Sequence, residues 1–215
     1  SVRRQGGVVK LTKKNRRVNL AYYNAVGFND VQLFLVMAFA RSPALFNVTC
    51  YAGQPARGRR GARQHMEAHC DAFVDVSNMS VTELAARVTA DKIHVLVDLN
   101  GYTQGSTGTF LHAMARTPAP IQLHFHGQPS TMGAPFVDGY VGDPTSTPVE
   151  YRSAYTERLI LLPDFYLVHS LPAVRREVWS HPDSSVSRSD FGFADHDLVL
   201  ASFLQPYKIE PRLWQ

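Results

Sequence analysis

The stretch Asp91–Gly105, DKIHVLVDLNGYTQG, decides how this chain is read. Ile93, Val95, Leu96, Val97 and Leu99 form a short, nearly continuous apolar run rich in β-branched residues. Such a run suits a strand buried on both faces, in the middle of a parallel sheet. It ends in Asp98, Asn100 and Gly101, and Tyr102-Thr103 leads on into a glycine-containing turn. In open α/β sheets, ligands gather just outside the carboxyl ends of the strands, so this polar cluster is the first place to look for chemistry. The plainer alternative is that Asp98 and Asn100 cap backbone groups in a tight turn.

Strand-like and helix-like runs alternate on both sides of it. Arg17–Tyr23 (RVNLAYY) reads as a first strand with the exit loop Asn24–Asn29, and Asp30 as the cap of a helix to about Arg41. Leu45–Tyr51 is a second strand, followed by the loop GQPARGRRG, a helix around Arg63–His69 and a short strand Ala72–Val76. Ser80 and Glu83 have the spacing of a capping box, ahead of a helix with Val81, Leu84, Ala85 and Val88 on one stripe. Beyond the central strand come a helix near Thr109–Ala115 and the strand Ile121–His126, which ends in the turn Gly127–Gly133. Val137–Val141 and Arg158–Leu162 read as further strands, and Pro163 to about Leu171 as an irregular exit. Ser180–Asp190 (SHPDSSVSRSD) is a polar linker, and a new strand, Leu198–Phe203, follows it. The alternation predicts an α/β fold with a mostly parallel sheet and right-handed crossovers.

The chain has 215 residues, 45% of them apolar and 19% charged, as in globular proteins with a substantial core. No run approaches the roughly eighteen apolar residues of a membrane span. There is no secretory leader, the chain opens on Ser1, and it stops at Gln215 in the first turn of an expected helix; a fragment of a longer protein is expected. Cys50 and Cys70 make neither a metal signature nor a disulfide framework, which predicts a reducing compartment. The net charge of +4 is uneven: no acidic residue precedes Asp30, and Arg57, Arg59, Arg60 and Arg63 form a second basic cluster. Nucleic acid is one partner for such clusters, but without interleaved aromatic residues a solvated linker and loop are the better reading.

Gln205-Pro-Tyr-Lys208 lies between a buried strand and a helix start, where free N–H groups and the helix dipole favour an anion. Lys208 adds a full positive charge and Gln205 a neutral donor, a pair suited to a diphosphate leaving group. His124 and His126 are two apart on a strand and are expected to share a face, but no third ligand completes a zinc site. Asp195-His196-Asp197 precedes a strand and reads as a polar turn. Dinucleotide, P-loop and serine-hydrolase signatures are absent.

RVNLAYY, LFNVTCYA, KIHVLVDLNGYTQG, RTPAPIQLHFHGQPSTMGAP and SFLQPYKIEP, in this order, resemble the catalytic region of the protein O-linked N-acetylglucosamine transferases. The resemblance runs from about Arg17 to Gln215. It implies a Rossmann-like lobe of a two-lobed, GT-B type glycosyltransferase, with tetratricopeptide repeats upstream. The domains it suggests are a basic linker (1–16), the N-terminal lobe (17–175), a linker (176–190) and the start of the donor-binding lobe (191–215). The implied activity is inverting, metal-independent transfer of N-acetylglucosamine from UDP-N-acetylglucosamine to serine or threonine of cytoplasmic or nuclear proteins. No cofactor beyond the donor, no membrane and no nucleic acid are implied.

By the same resemblance, Lys208 is the catalytic candidate, and Gln205, Tyr207, Lys208 and Gly127 bind the donor. The family's apolar residue before that glycine is His126 here. Its Asp-Phe-Gly-Asn-His-Pro loop, with aspartate and histidine near the reacting groups, is Asn24-Ala-Val-Gly-Phe28-Asn29. Acid–base help from that loop is therefore missing, and the alternative is a scaffold that kept the fold and lost the chemistry.

Overall fold

The strand-like runs of the first 170 residues all become strands of one sheet. The computed structural model describes residues 17–25, 42–55, 60–103, 108–167, 187–194 and 196–199, except for the side chains of residues 60–62 and 65. The strands are β1 (Val18–Asn24), β2 (Phe46–Ala52), β3 (Ala72–Asp75), β4 (Val95–Asp98), β5 (Ile121–Phe125), β6 (Gly139–Gly142) and β7 (Arg158–Leu161). The described helices between them are α1 (Arg60–His69), α2 (Val81–Ala90) and α3 (Gly108–Met114). The basic lead-in before Arg17 and the helix expected from Asp30 lie outside the described residues.

The strand order is β3-β2-β1-β4-β5-β6-β7, and every neighbouring pair is parallel. β4 thus lies inside the sheet, between β1 and β5, as its apolar run requires. Successive residues of β1 feed opposite faces: Ala21 and Tyr23 join one core, Leu20 and Tyr22 the other. The first core is closed by Leu84, Ala85 and Val88 of α2 and by Phe110, Ala113 and Met114 of α3. The second takes Met66 from α1, with Phe125 and Tyr166. Complete burial of Leu84, at 1% exposure, contributes about 2 kcal/mol. Tyr23 stacks on Phe110, the ring centroids 3.5 Å apart.

α2 starts where its capping box places it. The Glu83 amide donates to Ser80 Oγ at 3.3 Å, and the Ser80 amide donates to Glu83 Oε2 at 2.8 Å. The two crossovers after β5 and β6 contain no α-helix; the second holds only a 3-10 turn, Val149–Ala154. Buried polar side chains supply the partners that a helix would have given these backbones. Gln122 Nε2 donates to the carbonyls of Met114 and Phe136, at 2.9 and 2.8 Å. Glu157 accepts from Thr131 Oγ1 at 2.7 Å and from the Met132 amide. Asp143, just after β6, accepts the amides of Thr145, Ser146 and Tyr166, and these bonds hold its carboxyl below the usual range.

The cysteines depart from the sequence expectation: Cys50 and Cys70 are joined in a disulfide, with their Cα atoms 6.2 Å apart. Cys50 lies in mid-strand on β2, and Cys70 follows α1 directly, so the return of α1 to the start of β3 brings the two together. The inference of a reducing compartment from unpaired thiols loses its basis.

The chain divides into two compact units, residues 1–170 and 171–215. The described part of the second is exposed and turns through a 3-10 segment, Ser189–Phe191. Asp197 sits in a turn there and accepts the Ala194 amide at 2.7 Å. Leu198 and Val199, the first residues of the expected strand Leu198–Phe203, are irregular and exposed; the remainder lies outside the described residues.

Candidate functional site

The order of strand addition reverses between β1 and β4: the chain leaves β1 for β2 and β3, then returns to β4 on the opposite side of β1. Loops leaving the carboxyl ends of those two strands diverge, and the crevice they open is where doubly wound sheets bind ligands. Asn24 and Ala25 leave β1 at this point, and Asp98 to Gly101 leave β4. His126 to Gln128 leave the adjacent β5.

Asp98 is a cap. Its Oδ1 accepts the Asn100 amide at 2.9 Å, and its Oδ2 accepts the Gly101 amide at 2.9 Å. For Asp98 the plain reading of the sequence holds. Asn100 does more than cap, because its groups join three strand exits. Its Oδ1 accepts the Ala25 amide at 3.2 Å, and its Nδ2 donates to the Tyr23 carbonyl at 3.3 Å. Its own carbonyl accepts the Gln128 amide at 3.3 Å and Thr103 Oγ1 at 2.6 Å.

Gly127 is exposed at the mouth of this crevice with a φ of +65°. A Cβ on it would collide with the carbonyl of Asn100, so glycine is required both for its dihedral and for its close approach. Tyr102, 53% exposed, closes the rim by donating its hydroxyl to the Met132 carbonyl at 2.6 Å.

His124 and His126 do not share a face. β5 ends at Phe125, and His126 has a φ of +73°, which breaks the alternation of the strand. His124 is fully buried, 3.7 Å from Asp98 Oδ2 through Nδ1 and 2.9 Å from the Gln128 carbonyl through Nε2. Burial opposes its charge, but Asp98 and the Gln128 carbonyl outweigh burial and hold the imidazole above its ordinary value. The ring of His126 lies 6.3 Å from that of Tyr166. Burial and then the nearby His124 push its imidazole below its ordinary value.

Of the residues singled out from sequence, the structure brings Gly127 to the crevice. Gln205, Tyr207 and Lys208 lie outside the described residues, as does the loop from Val26 to Asn29. Sequence reasoning missed the bridging role of Asn100, whose only local signal was the Asn-Gly pair after a buried strand, and the buried Gln122 and Glu157, which had none.

Residues 9–176 match the sequence model of glycosyl transferase family 41. The probable UDP-N-acetylglucosamine–peptide N-acetylglucosaminyltransferase SEC of Arabidopsis thaliana is 36% identical over 166 residues, 77% of this chain and 16% of that protein. A UDP-N-acetylglucosamine–peptide N-acetylglucosaminyltransferase of Caenorhabditis elegans is 34% identical over 122 residues, 56% of this chain and 10% of that one. A solved mutant O-GlcNAc transferase of Thermobaculum terrenum superposes with a TM-score of 0.62 at 32% identity, over 71% of this chain and 29% of the other. The chain thus spans a minor part of the relatives it matches.

Proposed function

We propose, for a chain that belongs to glycosyl transferase family 41 and carries its Rossmann-like lobe, that the whole protein transfers N-acetylglucosamine from UDP-N-acetylglucosamine to serine or threonine hydroxyls of proteins. The observation that carries this reading is the family match over residues 9–176, within which the crevice at the reversal of strand order presents Gly127. The donor diphosphate is assigned to Gln205, Tyr207 and Lys208, with Lys208 neutralising the charge that develops on the leaving group. Inversion at the sugar and independence from metal belong to the same proposal, as do tetratricopeptide repeats elsewhere in the protein. A cytoplasmic or nuclear location rests on the resemblance alone, because the bonded cysteines withdraw the argument from free thiols. Among the described residues, no helix is long and apolar enough to cross a membrane.

A specific observation favours the second reading, a scaffold without catalysis. Where the family has an aspartate at the exit of β1, this chain has Asn24, fully buried, followed by Ala25, whose amide is taken by Asn100. That position offers no carboxylate.

The test is incorporation of labelled N-acetylglucosamine into acceptor peptide by the full-length protein and by its Lys208→Ala variant. Transfer by wild type, abolished in the variant, is the expected outcome. Equal transfer by both would remove Lys208 from the mechanism. Transfer by neither would select the scaffold, with Phe28→His as the first reversion to try.

A further inference from the structure

His124 is enclosed where three strand exits meet, and both of its ring nitrogens face acceptors. Nε2 lies 2.9 Å from the Gln128 carbonyl oxygen. A carbonyl only accepts, so Nε2 carries a hydrogen. Nδ1 faces Asp98 Oδ2 at 3.7 Å, within ion-pair reach but beyond hydrogen-bond distance, and that carboxylate already accepts the amides of Asn100 and Gly101. A neutral ring has one hydrogen for two positions, so it must turn a lone pair towards either the carboxylate or the carbonyl. A cationic ring presents N–H to both. We propose that His124 is a positioning residue: held as an imidazolium, it ties the exit of β4 to the turn after β5 and so sets Gly127 and Gln128 at the mouth of the crevice.

The surroundings make the connection stiff. Gln128 is held through both of its backbone groups, its carbonyl by His124 and its amide by Asn100. A Cβ on Gly101 would come within 2.7 Å of His124 Cε1, so the ring fills the space that a side chain at residue 101 would need. The titratable groups around the ring come from each adjoining element. Asp98 on β4 and Glu157 ahead of β7 both favour its charge, and burial and that charge push the imidazole of His126, at the end of β5, below its ordinary value. The ring of Tyr140 on β6 is 5.4 Å away, and burial pushes its phenol up to about 12, so it stays uncharged alongside. The direction of the His124 shift agrees with the geometry, since burial alone would have expelled the proton.

The proton then sets a working range. With its folded value above the ordinary 6.5, the His124 charge supports the folded crevice fully below pH 6.5 and is lost as pH rises through the folded value. Losing it leaves Nδ1 opposed to Asp98 or leaves the Gln128 carbonyl without its donor.

The experiment is an NMR titration of histidine-labelled and amide-labelled full-length protein between pH 5 and 9. Imidazolium nitrogen shifts for His124 at pH 6.5, a midpoint above 6.5, and Gly101 and Gln128 amides that move with the same midpoint are expected. Asp98→Asn should lower that midpoint, and His124→Gln should abolish the amide transition while still donating to Gln128. A neutral His124 at pH 6.5, or amides that ignore its titration, would overturn the proposal from wild type alone, whether or not a variant folds. The consequence for turnover rests on the transferase reading: His124→Gln should raise KM for the donor several-fold below the midpoint and much less above it. If neither protein transfers sugar, the transferase reading fails, and the NMR result still decides the charge and position of His124.

Discussion

The side-chain oxygen of Asn100 accepts the backbone amide of Ala25 at 3.2 Å, across the point where the strand order reverses. The two residues are 75 apart in sequence and both are buried, so the bond replaces water for an amide that has just left its strand ladder. Asn100→Ala strands that amide, whereas the Tyr23 carbonyl keeps the Leu99 amide and Asp98 Oδ1 keeps the backbone amide of residue 100. A buried unsatisfied donor costs about 1–3 kcal/mol, and a loss of that size is expected in urea unfolding of Asn100→Ala. A loss below about 0.5 kcal/mol, the range of ordinary surface changes, would refute the bridging role.

Two left-handed glycines in one loop separate dihedral strain from collision. Gly133 has a φ of +59° and open space where a Cβ would project, whereas a Cβ on Gly127 meets the Asn100 backbone. Gly133→Ala should cost only the strain of a left-handed alanine, roughly 1–2 kcal/mol. Gly127→Ala should cost clearly more, because the obstructing atom is backbone and cannot rotate away. Thermal unfolding of the two variants gives the order; equal losses would contradict the close approach.

Reducing the Cys50–Cys70 bridge should destabilise the fold by about 3 kcal/mol, the loop-entropy value for a crosslink closing a loop of this length. The bridge spans a sequence separation of 20 and connects β2 to the end of α1. Urea unfolding with and without reductant measures the effect, with Cys50→Ala/Cys70→Ala as an insensitive control. Free thiols in unreduced, native protein would show that the bond does not form.

Alkaline pH should unfold the protein more readily than it would a protein with exposed tyrosines. Burial raises the phenols of Tyr22, Tyr51 and Tyr140, that of Tyr140 to about 12, against an ordinary 10.0. Between these values the unfolded chain has lost protons that the folded chain keeps, so stability present below pH 10.0 falls as pH rises towards 12. Stability curves from pH 8 to 11.5, with phenolate absorbance followed in parallel, test this. Tyrosines that all ionise near 10.0 without unfolding would contradict their burial.

What was legible in the sequence acts over short range. The unbroken apolar run before Asp98 placed β4 inside a sheet because both of its faces need apolar neighbours, and Ser80 with Glu83 marked the start of α2 because a capping box closes within three residues. Asp98 was equally readable as a cap, since its partners Asn100 and Gly101 follow it directly. The same local logic misjudged the histidines: period-two alternation put His126 beside His124, and a single left-handed residue at the end of β5 turned it towards Tyr166.

The remainder depended on which distant segments the fold brought together. Cys50 and Cys70 become partners only once α1 has returned along β2, and Asn100 becomes a bridge only once β1 and β5 flank β4. Composition and pattern determined that this chain builds a parallel α/β sheet, because burial and hydrogen bonding of single strands are local demands. The reversal point, the tie between Asn100 and Ala25 and the enclosure of His124 were decided by tertiary structure, because each requires groups from several strand exits to arrive within a few ångströms of one another.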